Sequence, residues 1–147
     1  MIELRETEIE DLAIISEFGS QDHSKPFLNV KSMADYESEF TEINTTYLCI
    51  INSSNIILGY FILVKSAQKK SIQLKRILIS KESLGIGQRA LAKLEEYCIS
   101  IMGIKRIWLD VYDNNYRAIH VYKKLGYQLF TTEKENKRNV LYFDKSL

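Results

Sequence analysis

Ile72-Gln73-Leu74-Lys75-Arg76-Ile77-Leu78-Ile79, then Gly85-Ile86-Gly87-Gln88-Arg89-Ala90-Leu91, is the stretch on which the fold turns. The first part is rich in Ile and Leu and reads as a long strand. The glycine pair opens an amphipathic helix whose core face is Leu91, Leu94, Cys98 and Ile101. Ile107-Trp108-Leu109-Asp110-Val111 is the next strand. A strand–helix–strand unit of this kind needs parallel strands and a right-handed crossover.

Working outward, Ile2-Glu3-Leu4-Arg5 alternates like a short strand. Thr7 offers a helix cap, with Glu10 completing a capping box, and Leu12, Ile15 and Phe18 supply the apolar side of a helix ending near Gly19. Gln21 to Lys31, with the single proline Pro26, reads as a loop. Ser32 and Asp35 suggest a second cap, opening a short helix with Met33, Tyr36 and Phe40. Tyr47–Ile51 and Ile56–Val64 are strands joined through Asn52-Ser53-Ser54-Asn55 as a hairpin. After Val111, Asn115 begins a helix that stops at Gly126, with Lys123 and Lys124 at its negative end. Tyr127–Phe130 and Asn139–Phe143 close the chain as a hairpin-like pair. The expected class is α/β (α+β), a mixed sheet with helices on both faces.

At 147 residues the chain is one domain, large enough to hold an ordinary core without metal or disulfide staples. Hydrophobic residues make 46% and charged residues 27%, the balance of a globular protein and not of a disordered one. Twenty Lys+Arg stand against 19 Asp+Glu, a formal charge of +1, which argues against a nucleic-acid backbone as the main partner. Cys49 and Cys98 lie far apart in apolar stretches and read as reduced core thiols. No Cys/His cluster is spaced for a metal, so none is expected. No apolar run approaches the ~18 residues of a membrane span, and the amino-terminal alternation is unlike a signal peptide. The expectation is a cytoplasmic protein that needs no membrane.

Two segments carry chemistry. A strand, a short loop and Gly85-Ile86-Gly87 at a helix start form an anion site, because a helix N-terminus exposes N–H groups and glycines admit a ligand close to the backbone. No Gly-Lys-Ser/Thr follows, so the loop is not a Walker A motif, and Ala90 breaks the Rossmann glycine pattern. In the second segment Asn115, Ala118, Ile119 and Tyr122 share one helix face. Ala118 permits close approach there, and Tyr122 brings a phenol to the side of the capping residue.

Together these segments resemble the GNAT superfamily of N-acetyltransferases. The matching residues are Leu74–Ile79, Gly85-Ile86-Gly87-Gln88-Arg89-Ala90-Leu91, Trp108-Leu109-Asp110-Val111, and Asn115-x-x-Ala118-x-x-x-Tyr122-x-x-x-Gly126-Tyr127, with Ile2-x-Leu4-Arg5 and Asp11-Leu12 at the start. The resemblance implies a mostly antiparallel sheet of six to seven strands with a splayed central parallel pair and about four flanking helices. It implies acetyl-CoA as donor. The pantetheine arm would pair with Ile77, Leu78 and Ile79. The pyrophosphate would rest on the amides of Ser83, Leu84, Gly85, Ile86, Gly87, Gln88 and Arg89. Asn115 would touch the cofactor, and Tyr122 would be the general acid for the departing thiolate. A tyrosine pKa of about 10 keeps that proton in place at neutral pH. Glu82 stands where relatives place Arg or Gln, so backbone amides helped by Arg89 carry the binding.

The implied chemistry is direct attack by a neutral amine, with a backbone N–H near Leu78 facing the developing negative charge. Neither cysteine has an activating base, which disfavours a covalent acetyl-enzyme. A lysine-like amine costs about 4.6 kcal/mol to deprotonate at pH 7 and an α-amine about 1. A base therefore matters. Gln73 occupies a position where relatives often hold a carboxylate, so Asp110, five residues before Asn115, is the candidate, acting through a water. His23 and His120 are weaker candidates. His23, Phe27, Tyr36, Tyr47, Tyr60 and Tyr142 fall where acceptor selectivity arises in the family, and no clustered Asp and Glu points to a polyamine pocket. The acceptor is expected to be a primary amine on a small molecule or a peptide. Exposed strand edges are compatible with a homodimer, since such proteins often pair through them. Two other readings stay open here: a CoA-binding module without turnover, and an unrelated α/β nucleotide-binding protein.

Overall fold

The computed structural model describes residues 1–19, 31–66, 70–80 and 85–147. Seven strands form one sheet in the order β1-β2-β3-β4-β5-β7-β6. The strands are β1 (Ile2–Glu6), β2 (Thr45–Asn52), β3 (Ile57–Lys65), β4 (Ser71–Ile79), β5 (Arg106–Tyr112), β6 (Gln128–Glu135) and β7 (Arg138–Ser146). All neighbours are antiparallel except β4 and β5, which run parallel as the intervening helix demands.

The helices divide between the faces. On one face α1 (Leu12–Gly19) and α2 (Met33–Phe40) set Leu12, Ile15, Phe18 and Tyr36 against Tyr47, Cys49, Tyr60, Ile62 and Leu78. On the other, α3 (Gly87–Ser100) and α4 (Tyr116–Lys124) set Ala90, Leu91, Leu94, Cys98 and Tyr122 against Leu48, Phe61, Leu63, Leu74, Leu109 and Phe143. Ile101, expected on the core face of α3, is instead 68% exposed, because the helix ends at Ser100 and the chain has begun to turn away.

Two caps illustrate local chemistry. At Ser32 the reading holds: the Asp35 N–H donates to the Ser32 hydroxyl at 3.1 Å and the Ser32 N–H to the Asp35 carboxylate at 2.8 Å. At the first helix the cap lies one residue beyond the expected Thr7/Glu10 pair. The Glu8 N–H donates to Asp11, and a single 3-10 turn, Ile9–Asp11, precedes α1. Thr7 is buried instead, its hydroxyl 3.1 Å from the Cys49 sulfur.

One register shift governs the sheet. Leu63 on β3 pairs with Leu74 on β4, and Ile62 pairs with Arg76, so Lys75 has no partner on β3. This is a β-bulge, which bends and twists the strand that carries it. Pairing between β4 and β5 covers only Ser71, Ile72 and Gln73 and ends just before the bulge. From there β4 stays with β3, β5 stays with β7, and a gap opens between them.

Glu39 of α2 ties that helix to the bulge. It is 5% exposed, accepts the Tyr47 hydroxyl at 2.8 Å, and pairs with both Lys31 and Lys75. Burial alone would raise its carboxyl pKa, but these hydrogen bonds outweigh burial and hold it at about 2, below the ordinary 4.5. A carboxyl depressed by folding stabilises the native state above its unfolded pKa, and that stability fades as pH falls toward the folded value. Chemical denaturation of the wild type should therefore lose stability between about pH 4.5 and 2 more steeply than Glu39→Gln, which should be the less stable protein at neutral pH. Gly59 makes a second point. A Cβ there would lie 2.3 Å from the Leu78 carbonyl oxygen and 3.0 Å from the Ile79 Cα, both backbone atoms of the end of β4. Gly59→Ala should cost about 1–3 kcal/mol by displacing that segment, read as a drop in Tm of several degrees.

Candidate active site

The gap between β4 and β5 is the floor of a cleft of about 730 Å³. Leu74–Ile79 form one wall and Asp110, Val111 and Tyr112 the other, while Gly87, Asn115, Ala118 and Tyr122 close it from the α3/α4 face. Strand pairing decides which backbone groups of β4 look into it. The Ser80 N–H donates to the Leu58 carbonyl at 2.7 Å, so the Gly59–Ile79 pair is a non-hydrogen-bonded one and Ile79 faces away from β3. Alternation then turns Leu78 toward its partner Tyr60, and Ile77 toward the gap. The amide expected near Leu78 is therefore engaged in the ladder, and Ile77 presents its N–H and carbonyl to the cleft.

Asn115 caps α4, its side-chain oxygen accepting the Ala118 N–H at 3.3 Å, which leaves its amide nitrogen without a partner among the described residues. Tyr122, two turns along, is 6% exposed. Its ring is wedged against Tyr127 at 5.9 Å and Phe143 at 6.4 Å, and Tyr127 is itself anchored by its hydroxyl to Glu95 at 3.1 Å. Gly126, at φ +95°, ends the helix and lets the Tyr127 N–H fold back onto the Tyr122 carbonyl at 2.9 Å. The phenol thus has a fixed direction into the cleft, and its hydroxyl has no hydrogen-bond partner among the described residues. Burial, then the Asp110 charge, pushes its pKa up, so the proton stays on the oxygen at neutral pH.

Asp110 projects from the opposite face of the sheet. Its side chain is open to cleft water, yet the protein around it removes enough solvation to raise its pKa above the ordinary 3.8, with Glu135 and Glu133 adding to the rise. A carboxylate with a raised pKa is a better proton acceptor.

At the start of α3, Gly85 and Gly87 have negative φ, and a Cβ on either would meet nothing within 4 Å among the described residues. Neither backbone conformation nor internal packing calls for glycine there. The helix has no side-chain cap and no acidic residue in its first turn, so its N–H groups suit an anion. Gln88 and Arg89 are exposed beside them, and Ile86 points its side chain into the core. Ser83 and Leu84, with Glu82, His23 and Phe27, lie outside the described residues. Tyr36, Tyr47 and Tyr60 are buried core, linked through a Tyr36–Tyr60 hydroxyl contact of 2.9 Å and the Tyr47–Glu39 bond. His120 is exposed and does not line the cleft. Burial raises the thiol pKa of both cysteines, that of Cys98 to about 12, which suits neither to nucleophilic work. Lys31, Lys75, Arg76, Tyr112 and Glu135 also line the cleft and were not singled out as site residues from sequence. The adjacent charges Lys75-Arg76 are the local signal for the bulge, because they break the apolar alternation of β4.

Among the described residues no helix is long and apolar enough to cross a membrane. No curated protein sequence matches the chain. Solved structures do. Spermidine N-acetyltransferase from Vibrio cholerae, in complex with CoA and spermine, superposes with a TM-score of 0.84 at 17% identity, covering 99% of this chain and 95% of that one. Aminoglycoside acetyltransferase AAC(6')-Ib, in complex with coenzyme A and kanamycin, gives 0.83 at 18% identity with the same coverage. These establish the fold. Residues 16–127, which include both walls of the gap, Asn115 and Tyr122, match the family description "Acetyltransferase (GNAT) family". The chain belongs to the GNAT acetyltransferase family.

Proposed function

We propose that this protein is an N-acetyltransferase that moves the acetyl group of acetyl-CoA to a primary amine by direct attack in a ternary complex. The observation that carries the reading is the gap itself: it is open through the sheet, with the Tyr122 phenol entering from one face and the Asp110 carboxylate from the other. The residues present fit the donor. The gap-facing carbonyl of Ile77 offers an acceptor to an amide-bearing arm, in the manner of an added strand. The uncapped start of α3 at Gly85, Ile86 and Gly87, with Gln88 and Arg89, offers amides and a guanidinium to a diphosphate. The Asn115 amide faces the same cleft. When bound, acetyl-CoA supplies an acyl thioester, already activated toward an amine.

The chain's own groups do the rest. Asp110 takes the proton that the acceptor nitrogen sheds, directly or through a water. The Ile77 N–H lies where a partial negative charge on a cleft-bound carbonyl oxygen would be stabilised. Tyr122 holds a proton at its hydroxyl oxygen, ready for a departing anion and replaceable from cleft water. The buried cysteines take no part.

Released-thiol assays over an amine panel test the reading. Tyr122→Phe should lower kcat by about 10²–10⁴ while calorimetric affinity for acetyl-CoA stays within about twofold. Unchanged turnover would remove the acid role, and binding of acetyl-CoA with no turnover of any amine would favour a module that only holds the cofactor. Asp110→Asn should lower kcat/KM and flatten the acid limb of its pH profile. A carboxyl whose folded pKa is raised opposes folding above its unfolded pKa, so the same variant should also melt at a higher temperature at pH 7.

A further inference from the structure

The acceptor end of the cleft has two unlike banks. On the β4 side stand Lys31, Lys75 and Arg76. Lys31 and Lys75 both pair with Glu39, so two positive charges against one negative leave that trio at +1. The Lys75 side chain keeps 45% of its exposure, within reach of a molecule in the cleft. Arg76 is only 9% exposed, its guanidinium over the buried Tyr36 ring at 5.9 Å, so it stands behind this bank and Lys75 is its open cation. On the β5 side Asp110 and Glu135 line the cleft, and Glu133, which accepts the Tyr142 hydroxyl at 3.0 Å, acts on Asp110 from behind. Arg138 lies over the Tyr112 ring at 4.7 Å beside that bank, and Arg117 of α4 also lines the cleft. Tyr122, whose hydroxyl has no hydrogen-bond partner among the described residues, lines the same cleft.

A polyamine or an aminoglycoside placing one amine at Asp110 would bring its other cations toward Lys31 and Lys75. A polyanion would meet Asp110 and Glu135. A molecule carrying both signs a short chain apart satisfies both banks. We propose, resting on the acetyltransferase reading, that the acceptor is a free amino acid: its amine faces Asp110 and its carboxylate faces Lys75.

Thiol release with acetyl-CoA should be measured for L-methionine, L-phenylalanine and 4-aminobutyrate, for the carboxamide of each, and for spermidine and kanamycin. At least one acid should exceed its own amide, and both polycations, by about tenfold or more in kcat/KM. Lys75→Met should erase that preference by raising KM for the acid while leaving the amide's KM in place, and Lys75→Arg should restore it. Amides or polycations used as well as the acids would overturn the proposal and leave acetyl transfer standing. So would a protein that binds acetyl-CoA by calorimetry and acetylates none of the amino acids. Failure to bind acetyl-CoA would instead remove the reading beneath it.

Discussion

One unpaired residue, Lys75, bends β4 out of the plane it shares with β5. A parallel pair that stayed in register would hydrogen-bond its whole length, and the sheet would be closed there. The bulge ends the ladder after Gln73 and leaves backbone groups of β4 facing open space. Exposed polar backbone inside a fold is costly unless water or a ligand satisfies it. Here the fold leaves that requirement to the cleft. The rest supports the bend: Glu39 holds Lys75 to α2, and Gly59 lets β3 sit close enough to keep the end of β4 in place.

The opening joins the two faces of the sheet, and this divides the labour between them. The α3/α4 face brings glycine-rich amides, Asn115 and Tyr122, all set by helix ends and ring packing. The α1/α2 face brings a charged network anchored on a buried carboxylate. Two groups in between, a buried phenol without a hydrogen-bond partner among the described residues and a carboxylate with a raised pKa, are poor choices for stability. Such departures gather where a structure does chemistry.

What could be read from sequence was local. Ser32 with Asp35, and Asn115 with Ala118, Tyr122 and Gly126, are short-range patterns whose geometry follows from helix periodicity. The strand–helix–strand unit fixed the parallel pair. What escaped depended on partners remote in the chain. Whether Leu78 or Ile77 faces the gap is decided by pairing with β3. Glu135 reaches the cleft only through the β6–β7 register. The first cap shifted by one residue because Thr7 was drawn into the core beside Cys49. The bulge itself had a trace, the doublet Lys75-Arg76, yet two polar residues in a strand do not say which way the strand bends.

Both sulfhydryls are sealed, one under each layer of helices. Disulfide reagents and mild oxidants should find no handle on the native molecule. Chromogenic detection of liberated coenzyme can thus run alongside catalysis without labelling the catalyst, and any slow colour from protein alone would report unfolding.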